Sequence, residues 1–202
     1  MTNEFFYKHP FSESEKKILQ KFIGKEIVEI SGGQIFPGDI CYDFCTGEGA
    51  VIHLFDKDKS YNVLFRDRAY YDEISDDIPL IRISDSGFYF EKIYTKIPVS
   101  DFVIKSIDVF GYNYFFEMDK DSIKTRYKQR PTIPDKISLK IYTENCLIIK
   151  SNAGNKMLVY SQEEIHTQIS FNEEFIDRVI NQTRTLDNNR REKINTFHYT
   201  IE

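Results

Sequence analysis

The sequence predicts an α+β protein dominated by antiparallel sheet, a meander of hairpins with an N-terminal and a C-terminal helix packed on it. Three observations predict it. Between positions 137 and 161, apolar residues alternate with polar ones on both sides of an Asn/Gly cluster, the period-two signature of a hairpin. Aromatics make up 15% of the chain, with 17 Phe and 13 Tyr, a usage that suits pleated, half-buried surfaces. Two short segments instead pair helix-capping spacing with apolar residues at intervals of three and four.

The hairpin is the clearest element. Ile137, Leu139 and Ile141 alternate with Ser138 and Lys140, and Leu147-Ile148-Ile149 runs into Asn152-Ala153-Gly154-Asn155 before Met157 to Tyr160. Gly154 supplies a residue that tolerates positive φ. The first helix is expected over 13–23. Ser12 and Glu15 have capping-box spacing, Ile18, Leu19, Phe22 and Ile23 share a face, and Gly24 closes the end.

Positions 26–30 then read as a strand broken by Ser31-Gly32-Gly33. Further strands follow at 40–44, 51–55 and 61–65, separated by turns at 46–49 and 56–59. The acidic stretch 70–77 reads as a loop and 80–84 as a strand, and 88–97 is strand-like with a change of phase near Lys92. Positions 102–116 give one or two strands interrupted around Gly111. The polar stretch 119–135, with Pro131 and Pro134, reads as an excursion.

Ser170 and Glu173 repeat the capping spacing, and Phe175, Ile176, Val179 and Ile180 line a second helix over 172–184. A charged loop at 187–193 precedes a last strand on which Phe197, Tyr199 and Ile201 alternate. The expected core comprises Ile18, Phe22, Ile27, Ile52, Leu54, Ile107, Ile141, Ile148, Val159, Phe175 and Val179.

A chain of 202 residues suffices for a single domain with a sizeable core. Phe22-Ile-Gly-Lys-Glu-Ile27 is similar to Phe102-Val-Ile-Lys-Ser-Ile107. Val51-Ile52 with Val63 likewise matches Leu147-Ile148 with Val159. Two similar β units, 22–100 and 101–184, would explain this; so would chance likeness among strands of Ile, Val and Phe.

The net charge of -5 speaks against a general nucleic-acid binder, whose footprint is basic. No apolar run approaches the roughly 20 residues of a membrane span, and the start of the chain lacks the basic and apolar regions of a signal peptide. Three cysteines, an odd number, read as reduced thiols, so the expected location is cytoplasmic.

No motif assigns catalytic residues, a metal or a cofactor. Cys41 and Cys45 stand ~13 Å apart on an extended strand, too far to share a zinc or form a disulfide, and read as small buried apolar residues. The Gly-bearing stretches at 31–33 and 46–49 lack the helix and Lys-Ser/Thr of a phosphate loop. His9, His53, His166 and His198 are scattered, with His53 expected at the surface or across a strand. Paired acids such as Asp56 and Asp58 read as solvated faces.

Charge segregation is the one feature with functional content. Positions 67–85 carry six acids and two bases, and positions 120–130 carry five bases and one acid. Tyr70, Tyr71, Asp72, Glu73, Asp76 and Asp77 combine rigid aromatic area with steering charge, which suits a partner protein with a basic surface. In general make-up, and through no motif, such a chain resembles the immunity proteins that bacteria keep against secreted toxins, which implies a non-enzymatic module that blocks a toxin domain. The alternative is nucleic-acid or nucleotide binding through Lys124, Arg126, Tyr127, Lys128 and Arg130, with Arg66 and Arg68 in support.

Overall fold

A computed structural model describes residues 2–32, 35–37, 41–45, 49–70, 78–86, 95–119, 136–163, 166–181, 183–186 and 191–202. One strand organises them. β8 (Thr95–Asp119) runs for 25 residues, beside β2 (Glu26–Gly32) at first and then between β9 (Lys136–Ser151) and β13 (Arg191–Ile201). At the changeover Asp101 takes φ 58, a left-handed conformation that Asp tolerates better than most residues. Val28 is bulged out of register opposite it.

From β2 an antiparallel meander continues through β5 (Ala50–Asp56), β6 (Lys59–Tyr70) and β7 (Ile78–Ser84). From β9 another continues through β10 (Lys156–Glu163) and β11 (His166–Ser170), and then to β4 (Tyr42–Cys45) and β3 (Ile35–Pro37). β12 (Thr183–Leu186) flanks β13, and β1 (Thr2–His9) lies parallel to β9. The result is an open, mostly antiparallel sheet of 13 strands sharing β8.

Two cores explain the unbroken apolar runs. Leu147, Ile149, Met157 and Val159 join Ile27, Ile52, Leu54, Phe65 and Ile107 in the larger one, beneath α1 (Glu13–Gln20), which contributes Ile18 and Leu19. Cys146, Ile148, Leu158 and Tyr160 point the other way, against Ile176 and Val179 of α2 (Glu173–Asn181). Strands covered on both faces read as continuous apolar runs. Of the eleven expected core residues, all but the half-buried Phe175 are buried.

The capping box of α1 is formed as its spacing predicts, and Gly24 takes φ 78. Glu15 does more than cap. Its Oε1 accepts the Ile83 N–H of β7 at 3.1 Å, and Arg82 stands 3.5 Å from its Oε2. One carboxylate therefore ties helix to sheet. Gly154 takes φ 90 in the β9–β10 turn, as the hairpin requires.

Several expectations need correction. Arg184 lies in β12, beyond α2, which ends at Asn181. The cap of α2 is Asn172, whose Oδ1 accepts the Phe175 N–H at 2.9 Å, while Ser170 Oγ accepts the Asn172 N–H at 3.1 Å. Ser31 and Gly32 continue β2 because β5 and β8 pair with them from both sides. The break expected at Gly111 is absent: β8 continues through it, and the irregularities beside Gly111 fall on the neighbours β9 and β13. Tyr70 ends β6 rather than opening a loop. Positions 191–193, expected in a loop, belong to β13, and β1 and β11 were not foreseen. The phase change near Lys92 lies outside the described residues.

Candidate functional site

Tyr71 and the acids Asp72, Glu73, Asp76 and Asp77 lie outside the described residues, but the strands on either side of them do not. β6 and β7 pair without a register shift from Leu64↔Ser84 to Tyr70↔Ile78. The acidic segment is thus the connection of a long hairpin whose two ends are held side by side. Lys124, Arg126, Tyr127, Lys128 and Arg130 also lie outside the described residues. They too join paired strands, because β8 and β9 remain in register to Asp119↔Lys136. Arg66 and Arg68 sit two positions apart on β6, opposite Arg82 and Leu80.

The centre that sequence reasoning missed is Glu144. Asn145 of β9 and His198 of β13 are each skipped in their pairing with β8, opposite the neighbouring residues Phe110, Gly111 and Val109. Such bulges re-aim side chains. Here the bulge at Asn145 swings Tyr142 and Glu144 onto the face that carries Leu147 and Ile149. Glu144 is 3% exposed. Its Oε2 accepts the Phe11 N–H at 2.6 Å and the Tyr199 O–H at 3.0 Å, and its Oε1 accepts the Tyr142 O–H at 2.9 Å.

Burial, reinforced by the Glu144 carboxylate, pushes both phenols well above the ordinary tyrosine range, so they remain donors at any physiological pH. The His198 ring stands edge-on to Tyr142, with centroids 4.6 Å apart, across the space that a Cβ on Gly111 would need. Burial lowers the pKa of His198, against smaller opposing effects of Glu144 and the Gly111 backbone. Burial thus disfavours the charged ring, and its Nε2 has no partner among the described residues. Beyond the bulge, Asn145 donates its Nδ2 to Ser161 O at 3.0 Å. The Oδ1 of Asn145, Ser161 Oγ and Thr167 Oγ1 are buried without partners among the described residues. Chemically this centre is a fixed carboxylate that locks the entry to α1 onto the sheet.

A second polar network lies on the β2–β5–β6 arm of the sheet. His53 sits across from Glu29 and Asn62, as a cross-strand histidine should. Its Nδ1 is 2.8 Å from Asn62 Oδ1 and its Nε2 is 2.6 Å from Ser31 Oγ. This order of contacts is that of a nucleophile, a base and an orienting group, but Ser31 is 0% exposed and cannot meet a substrate there. Cys41 is half-buried and lies just before β4, and Cys146 is buried in the second core. Among the described residues no His, Cys, Asp or Glu side chains gather as a metal site.

A groove of about 640 Å³ opens between α1 and the β5–β6 hairpin, floored by Phe22, Leu54 and Val63. Its two lysines are already engaged. Lys21 stands 3.0 Å from Asp85, and Lys25 stands 3.1 Å from Asp56 and 4.7 Å from the Tyr61 ring centre. No helix of the described residues is long and apolar enough to cross a membrane. No family model, curated protein or solved structure matches the chain.

Proposed function

We propose that this chain is a non-enzymatic binding module of the immunity type, which presents the acidic end of the β6–β7 hairpin to a basic surface on a partner protein such as a toxin domain. The observation that supports this reading is the unbroken pairing up to Tyr70↔Ile78. A charged segment whose two ends are fixed by paired strands loses less freedom on binding than one on a loose tether. Glu15 anchors the root of the same hairpin through Ile83 and Arg82. Tyr70 and Tyr71 supply the rigid anchoring area, and Asp72, Glu73, Asp76 and Asp77 supply the steering charge.

The test is capture of partners from the source cell by the wild-type chain and by an Asp72→Lys/Asp76→Lys variant, with both rate constants then measured on any protein retained. Charge reversal should slow association, whereas Tyr70→Ala should speed dissociation by about 1–2 kcal/mol. Equal rates for all three chains would reduce the segment to a solvated connection. The nucleic-acid reading rests on the β8–β9 hairpin, which ends in the basic segment after Asp119↔Lys136. Binding of a single-stranded oligonucleotide that weakens steeply with salt, and is lost on Arg126→Ala/Lys128→Ala, would favour that alternative.

A further inference from the structure

We propose that two copies of this chain associate by antiparallel pairing of their β1 strands, about a two-fold axis at Phe6. An exposed strand edge offers unpaired N–H and C=O groups to any second strand, and proteins normally blunt such edges. Three of the other described edges are blunted. β3 has three residues and ends in Pro37, and β12 has four. β7 contains Pro79 and gives its Ile83 N–H to Glu15. β1 is different: eight residues without proline pair in unbroken register with β9. No described strand pairs with its other edge.

The sequence of β1 selects its own copy as the partner. A continuous sheet keeps its faces only if the two-fold axis passes through a residue, since neighbours along a strand face opposite ways. Centred on Phe6, the pairing sets Phe6 against Phe6, Glu4 against Lys8 twice, and Phe5 against Tyr7 twice. Centred on Phe5 it would set Glu4 against Phe6, and centred on Tyr7 it would set Phe6 against Lys8. Only the Phe6 register places opposite charges directly opposite, the arrangement that stabilises an antiparallel pair. Phe6 is 61% exposed, the most exposed large apolar side chain among those described. The pairing would cover it. Because both strands use the same surface, the assembly closes at two copies, and Pro10, which has no N–H, ends the edge.

Sedimentation of the full chain from low-micromolar to sub-millimolar concentration tests this. The mass should rise from 23.9 kDa toward twice that value. Phe6→Glu should leave only monomer, and Glu4→Lys should weaken association by about tenfold or more. Glu4→Lys combined with Lys8→Glu should restore it, an outcome that damage to β1 cannot imitate; a thermal melt of each variant checks the fold. A wild-type chain that stays monomeric, a dimer indifferent to Glu4→Lys, or open-ended assembly would each overturn the proposal.

Discussion

Replacing Glu144 tests whether its buried carboxylate fastens the entry of α1 to the sheet. Glu144→Ala removes three acceptor contacts at once. The Phe11 N–H belongs to a residue only 2% exposed, so losing its acceptor should cost about 1–3 kcal/mol. Tyr142 and Tyr199 are half-buried and can turn toward water, so each should lose only the ordinary net value of about 0.5–1.5 kcal/mol. The total comes to about 2–6 kcal/mol, a large part of the ~5–15 kcal/mol by which a domain is usually stable. Glu144→Gln should cost much less, about 1–2 kcal/mol. Its amide oxygen can serve Phe11 and Tyr199, while the Tyr142 hydroxyl rotates to accept from the amide N–H. Urea unfolding of the two variants measures both numbers, and Tyr199→Phe in a double-mutant cycle with Glu144→Gln isolates one contact. A loss below ~1 kcal/mol for Glu144→Ala would refute the reasoning, because at least one buried donor must then have found another acceptor.

The His198 pKa is lowered in the fold, so the unfolded chain takes up the proton first. Stability should be fully present above the ordinary histidine value of about 6.5 and fall as pH drops below it, and His198→Gln should flatten that slope in pH-dependent melts. The phenols of Tyr142 and Tyr199 are shifted up, so their contribution should persist below about pH 10 and be lost as pH rises beyond it, with Tyr199→Phe reducing the alkaline loss. Gly111→Ala should cost about 3 kcal/mol or more in urea unfolding, since its Cβ would meet the Thr143 carbonyl and the His198 ring. Gly154→Val should cost about 1–3 kcal/mol through its φ of 90 alone, because nothing lies within 4 Å of the added Cβ; an unchanged melting temperature would contradict it.

Much of the fold was legible because local signals agreed with tertiary demands. The Ser12–Glu15 box, the Asn/Gly turn before Lys156 and the alternation along β5 each specify one structure and meet no competing pull. What stayed hidden was set by neighbours. The strand β1 carries no turn signal and is a strand because β9 offers it an edge. Gly111 looks like a breaker, yet it is the residue that admits the His198 ring while β8 remains continuous. Ser170 and Glu173 have the right spacing for a cap, but Asn172 lies closer to the first turn and takes the bond.

The Glu144 centre was hidden for a related reason, and part of the signal was present. On β9 the apolar residues Ile137, Leu139 and Ile141 are odd-numbered, whereas Cys146 and Ile148 face the second core with Ile141. Regular alternation cannot place 141, 146 and 148 on one face; a residue must be inserted between them. Leu147 and Ile149 conceal that slip, because a strand buried on both faces is apolar at every position and loses its phase. Once the slip is placed at Asn145, Glu144 moves to the face of Leu147, and a glutamate inside a core must find donors there. It finds them in Phe11, Tyr142 and Tyr199, two of which lie far along the chain. A phase slip with an acid beside it, read against the aromatic at the entry to α1 and the Tyr199 of the last strand, is therefore where this sequence writes the joint between its helix and its sheet.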